Sequence, residues 1–303
     1  MFDTRVRIVT GKGGVGRSVV AVAMALSSHR AGRRTLFCEV NATESAARLL
    51  GYPALDGELR QVAEGLFMVN LIPGDAIREY AMMTLKFKAL YNAVFENRVV
   101  KYFIRAVPSL AEFVILGKLW FHESEREGSR PRFDTIIVDA PATGHLISLL
   151  RVPRVFDEMM PGGPLRKSAQ DFMHMLEDPR RTLLDVVTLP EEMPINEAIE
   201  ISRAAERHKF ANRGLTIVNR VLPALPAALV ERARAEGAPA LARPTLEIVR
   251  EHAHWREVGE RYLGRLPAAD LARAVILTKR QEPLFGRSAL LSFADELEAK
   301  LPK

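Results

Sequence analysis

Eight consecutive residues, Gly11-Lys12-Gly13-Gly14-Val15-Gly16-Arg17-Ser18, carry the densest chemical information in this chain. Glycines let a backbone curl until successive N–H groups face inward. A ring of bare amides suits an anion, Lys12 and Arg17 add two cations, and the Ser18 hydroxyl can ligate Mg2+. A short apolar run, Val6-Arg7-Ile8-Val9, precedes the loop, and a helical run from Val19 to Leu26 follows it. Strand, glycine turn and helix is the context that phosphate binding needs, because the positive end of the helix faces the ligand. The spacing Gly11-x4-Gly16-x-Ser18 fits the Walker A frame, with Arg17 at the lysine position.

A second group lies far along the chain. Asp139 ends the apolar run Thr135-Ile136-Ile137-Val138. A carboxylate at the end of an apolar strand beside a phosphate loop suits a Walker B role, holding Mg2+ directly or through water. Ser18 and Asp139 are therefore the expected metal-binding residues.

Lys12, next to the first glycine, makes the loop resemble the deviant Walker A class. That class includes the ArsA arsenite-pump ATPases, the GET-pathway ATPases for tail-anchored proteins, the MinD and ParA proteins and the nitrogenase iron protein. In it the second lysine reaches across a dimer interface to the other subunit's phosphates. The segment Asp139-Ala140-Pro141-Ala142-Thr143-Gly144-His145 closely resembles switch II of the ArsA/GET group. The resemblance covers nearly the whole chain, and it implies ATP or ADP with Mg2+ as ligands. Gly11, Gly13, Gly14, Val15, Gly16, Arg17 and Ser18 would cradle the phosphates, and Lys12 and Asp139 would serve catalysis. It also places Asn219, at the end of the run Gly214-Leu215-Thr216-Ile217-Val218, on the adenine base, whose N7 and amine an amide can pair. Gln281 to Gly286 would line the same pocket through backbone contacts.

Two departures from the family pattern fall on chemistry. Arg17 puts a planar guanidinium where the family has a compact ammonium, and the two do not fit one phosphate alike. Asn41 stands where the family has the switch I aspartate that orients the attacking water. An amide can hold a water but cannot take its proton. Glu39, two residues earlier on the same strand face, either substitutes for that acid or is a paired strand-end carboxylate. Together the departures imply an ATP-binding protein with impaired hydrolysis, acting as a dimeric subunit beside an active paralogue. A working homodimeric ATPase and a non-catalytic structural or client-binding subunit are the alternatives.

Composition sets limits. A chain of 303 residues with 48% hydrophobic and 26% charged content has the makeup of an ordinary globular protein. A net charge of +6 admits an acidic partner or anionic membrane surface, but is too small to argue for nucleic acid. Cys38 is the single cysteine, which rules out an intrachain disulfide and points to a reducing cytoplasm. No signal peptide is expected ahead of the first strand, and no window of about 20 residues is free of charge, which argues against a membrane span.

The elements that must position these groups alternate. Strands are expected at Arg34–Val40, Leu66–Ile72, 135–138, Leu183–Leu189, 214–218 and Ala274–Leu277, with helices between them. The order gives an α/β fold, a doubly wound, mainly parallel sheet with the ligand at the carboxyl ends of the strands. The chain reads as one P-loop domain over 1–303. Helical periodicity over 75–127, and over 154–181 around the break Pro161-Gly162-Gly163-Pro164, resembles the helical subdomain of the ArsA/GET group. Met82, Met83, Met159, Met160, Met173 and Met175 fall there. They either form a client groove or pack between helices.

Overall fold

The computed structural model describes residues 4–43, 45–74, 109–235, 243–280 and 286–301. Strand β1 (Val6–Gly11) is buried along its whole length, as an apolar strand covered on both faces must be. It ends in the glycine loop and leads into α1 (Arg17–Arg30). Then follow β2 (Thr35–Val40), a 3-10 turn over Ala46–Leu50, β3 (Arg60–Ala63) and β4 (Leu66–Leu71). Helix α2 (Leu110–Ser124), a small hairpin of β5 (Arg126–Glu127) and β6 (Arg130–Pro131), and β7 (Thr135–Asp139) come next. After them run α3 (Thr143–Met159), α4 (Pro164–Glu177), β8 (Thr182–Thr188), α5 (Glu192–His208) and β9 (Asn212–Val221). Helices α6 (Ala227–Arg234), α7 (Arg243–Leu263) and α8 (Ala268–Leu271), strand β10 (Ala274–Thr278) and α9 (Arg287–Ala299) complete the described chain.

Eight strands form one sheet in the order β10-β9-β8-β1-β7-β2-β4-β3. Every pairing is parallel except β3 with β4, at the edge. The doubly wound sheet expected from the sequence is therefore present, and β1 lies at its centre between β7 and β8. The glycine loop, Val40, Asp139, Thr188 and Val221 all fall at carboxyl ends of parallel strands, on the edge where ligands of such sheets bind.

Alternate residues of each strand serve two cores. Ile8, Leu36, Cys38, Val69, Ile136 and Val138 pack with α2, α3, α4 and α5 on one face. Val9, Phe37, Met68, Ile137 and Val187 pack with α1 and α9 on the other. The period of two follows from the pleat, which turns successive side chains to opposite faces. Arg7 interrupts the apolar pattern of β1, and the fold answers it with Asp185 on β8. Arg7 Nε and Nη2 donate to the two carboxylate oxygens at 2.8 and 2.5 Å, a bidentate pair that is buried.

The segment 75–108 lies outside the described residues, so the periodic part of the expected helical subdomain, with Met82 and Met83, is not seen. Within the remainder, α2, α3 and α4 share one continuous core with the sheet. Phe113 stacks on Phe156 with ring centroids 4.2 Å apart, and Phe172 tilts against Phe113 at 5.0 Å. Met175 is fully buried in this core, whereas Met159 is exposed.

Several boundaries correct the sequence expectation. Residues 126–127 are strand rather than helix, because Gly128, with φ +62°, turns the chain into a short hairpin. Helix α3 begins at Thr143 and continues through Pro153 to Met159, where a helical stretch only from 154 was expected. Helix α5 begins at Glu192. Its Pro194 sits in the first turn, where a missing N–H breaks no intrahelical bond. Strand β3 was not foreseen. It is a half-exposed edge strand whose sequence, Arg-Gln-Val-Ala, carries almost no hydrophobic alternation.

Candidate functional site

The site is built where β1 hands over to α1. Gly11 packs so closely on β8 that a Cβ there would overlap the Val187 carbonyl oxygen. Gly16 occupies the N-cap of α1 in the left-handed region, φ +88°, where glycine carries no penalty. Between them Val15 turns into the core, while Gly13 and Gly14 are exposed with open space where a side chain would stand. The loop thus presents bare backbone outward, as a phosphate cradle requires. The first-turn amides of α1 carry no capping side chain, so their donors remain for a ligand.

Asn219, at the end of β9, fastens this loop from the side. Its Nδ2 donates to the Val15 carbonyl at 2.9 Å, and its Oδ1 accepts from the Arg220 N–H at 2.9 Å. A Cβ on Gly16 would come within 2.5 Å of the same amide nitrogen. The residue expected on adenine is therefore also a strut under the phosphate loop. Arg220 beside it holds φ +56°, an uncommon conformation for a long side chain. Residues 281–285, expected along the adenine pocket, lie outside the described residues.

The structure brings Arg17, Ser18 and Asp139 together. Arg17 Nε donates to Asp139 Oδ1 at 3.1 Å and its Nη1 to the Gly11 carbonyl at 3.3 Å. Ser18 also hydrogen-bonds the Asp139 carboxylate. Burial raises the Asp139 pKa above the ordinary aspartate value, while Ser18 and Arg17 pull it back only in part. A hydroxyl and a carboxylate oxygen converging at the loop suit a hard cation that completes its shell with water and phosphate. Among the described residues no cluster of three or more His, Cys, Asp or Glu could cage a metal, which matches this sparse donor set.

Lys12 lies on its own chain's α5. Its Nζ is 3.1 Å from Glu197 Oε1. The other oxygen, Glu197 Oε2, accepts from the Thr143 hydroxyl at 3.2 Å, at the start of α3. The loop 140–142 after Asp139 is tied back as well, by the Thr10 hydroxyl donating to the Pro141 carbonyl at 3.0 Å.

Asn41 closes β2 in the left-handed region, φ +47°, exposed to solvent, with its N–H donating to the Leu71 carbonyl at 3.1 Å. Asparagine tolerates this conformation better than most residues. Asn70, on the neighbouring β4, clamps the next residue: its Oδ1 accepts from the Ala42 N–H at 3.1 Å and its Nδ2 donates to the Ala42 carbonyl at 2.8 Å. Glu39 is fully buried. Its carboxylate accepts from the Ser45 hydroxyl at 2.9 Å and from the Ala46 N–H, so it caps the 3-10 turn. Burial raises its pKa above the ordinary glutamate value, against the pull of Ser45 and the Ala46 N–H.

Glu197 and Asn70 escaped the sequence reading for different reasons. Glu197 lies on the polar face of an amphipathic helix and looks like any solvated acid. Asn70 did leave a signal, an amide inside the otherwise apolar run Leu66–Leu71. A buried amide needs partners, and the turn after β2 supplies them.

Comparison with known proteins agrees with this geometry. The sequence profile of the anion-transporting ATPase family, ArsA ATPase, matches residues 4–167. ATPase BagA of Mycobacterium tuberculosis is 30% identical over 230 residues, covering 74% of this chain and 67% of that protein. The arsenical pump-driving ATPases of Acidiphilium multivorum and Escherichia coli are 27% and 25% identical over 232 and 233 residues. Each of those alignments covers 71% of this chain and 39% of the relative, so the chain spans well under half of either pump ATPase. With over half its length inside the family profile, the chain belongs to the ArsA ATPase family, and its nucleotide-binding P-loop fold is the one that family implies.

Proposed function

We propose that this chain binds ATP with Mg2+ and hydrolyses it poorly, working as a nucleotide-switched subunit of a dimer with an active ArsA-type paralogue. Gly11 to Ser18 would hold the phosphates, Ser18 and Asp139 the metal, and Asn219 the adenine. Lys12 would be lent across the dimer interface. One observation carries the impaired reading: among the described residues no carboxylate is free at the end of β2. Asn41 supplies only an amide there. Glu39, the described acid on that strand, is buried and spent on Ser45 and Ala46. A general base must be able to reach the water and accept its proton.

The test is the rate of phosphate release from Mg-ATP by the purified chain, alone and with its co-purified partner. A slow rate alone that rises with the partner is the expected result. An ordinary rate from the chain alone would favour the working homodimer, with Arg17 in the lysine role and a water network at Asn41. No Mg2+-dependent binding of a fluorescent ATP analogue would favour a structural or client-binding subunit.

Exposed Met159 and Val155 on α3 give some support to an apolar protein client or membrane surface. Among the described residues no helix is long and apolar enough to cross a membrane. Arsenite handling finds less support. Cys38 is the one thiol, it is buried, and burial pushes its pKa up, away from the thiolate that a soft metalloid needs. The same lone cysteine fits a reducing cytoplasm.

A further inference from the structure

The Lys12–Glu197–Thr143 cluster joins three parts of the site that nucleotide binding would have to move. Lys12 is in the phosphate loop. Thr143 opens α3, four residues after Asp139. Glu197 stands on α5, which belongs to neither, and it spends one carboxylate oxygen on each. Lys12 and Glu197 keep 32% and 28% of their side chains exposed, so the pair is held weakly enough to exchange partners.

We infer that Glu197 is a positioning residue: it holds the second cation of the loop on its own chain and so weakens the attraction of the nucleotide-free site for phosphate. Before any partner docks, a triphosphate in the chain's own loop competes with one carboxylate for Lys12, and when it wins, Glu197 keeps only Thr143 and Lys12 is released for the interface. The start of α3 therefore loses part of a bridge to the phosphate loop at the moment the loop fills. This rests on the reading of the loop as an ATP site.

The experiment is a double-mutant cycle read by titration of a fluorescent ATP analogue with Mg2+. Glu197→Gln keeps the shape and removes the charge, and should tighten binding about two- to five-fold, the range of an exposed ion pair. Removing an acid near a phosphate also relieves plain repulsion, so the same change is made in a Lys12→Ala background. There the gain should vanish, because no cation remains to be released. An unchanged affinity in Glu197→Gln, or an equal gain with and without Lys12, overturns the inference while leaving the ATP site standing. Absence of any binding by the unmodified chain overturns both.

A second readout needs no nucleotide. Acylation of Lys12 by an amine-reactive ester, followed by peptide mass spectrometry, should run faster in Glu197→Gln relative to the other lysines. An equal rate contradicts the hold, even if Lys12→Ala binds too weakly to titrate.

Discussion

Arg17 Nε lies 3.1 Å from Asp139 Oδ1, so the cation that opens α1 and the acid that ends β7 partly neutralise each other across the strand–helix corner. A lysine at this position would bring a point charge free to swing onto phosphate. The guanidinium instead is forked between Asp139 and the Gly11 carbonyl.

Restoring both family residues should therefore raise turnover. Arg17→Lys with Asn41→Asp is expected to increase phosphate release at least about ten-fold, since a positioned acid alone contributes that much or more. Each single change should give less than the pair. Steady-state ATPase assays on the four proteins decide it, and an unchanged double variant removes these positions as the cause of slow hydrolysis.

Gly16→Ala should abolish binding of the ATP analogue. The new methyl meets the Asn219 amide at 2.5 Å and must be borne at φ +88°. Asn219→Ala leaves the Val15 carbonyl without its partner and should lower Tm by about 1–2 °C, the effect of about 1 kcal/mol in a protein of this size. Normal analogue binding by Gly16→Ala would show that the loop does not serve the phosphates.

The Arg7–Asp185 pair predicts a large and asymmetric cost. Asp185→Ala leaves a buried guanidinium without its carboxylate and should destabilise by about 3–5 kcal/mol in urea unfolding. Gly214→Ala should also be destabilising, because a Cβ there would overlap Asp185 Oδ1. A loss below about 1 kcal/mol for Asp185→Ala would mean that water reaches Arg7.

Glu296 on α9 sets a pH dependence of the opposite kind to Asp139. Burial pushes its pKa up, but Lys300, the Thr278 N–H and Arg280 outweigh burial and bring it down to about 2. A carboxyl whose folded pKa lies below its unfolded one stabilises above the ordinary value of 4.5, and that contribution fades as pH falls toward 2. Glu296→Gln should thus cost about 1–2 kcal/mol at pH 7 and progressively less below pH 4.5. An equal deficit at pH 7 and pH 3 would refute the linkage. Asp139 and Glu39, raised by burial, work the other way: their effect favours folding at low pH and is lost as pH rises through their folded values.

The sequence made the central strands, the glycine loop and the Asp139 position legible, because apolar runs covered on both faces and glycines at fixed spacing leave strong local marks. It hid β3, whose edge position asks for no hydrophobic alternation. It placed the start of α3 too late, and Pro153 is accommodated within that helix as Pro194 is within α5. Whether Glu39 was free for chemistry depended on Ser45 and Ala46, and no rule of spacing joins a strand end to the turn six residues on. Lys12's hold by Glu197 is a contact across 185 positions, visible only once α5 is packed beside the loop.

β1 precedes every other described strand, yet its two neighbours are β7 and β8. Arg7 must wait 178 positions for Asp185, and Asn219 arrives 204 positions after the Val15 carbonyl it holds. During synthesis the loop therefore exists as unsupported chain until the later half has been made. Truncation before β8 would leave the first strand without one of its two sheet neighbours, and truncation before β9 would leave the Val15 carbonyl without Asn219.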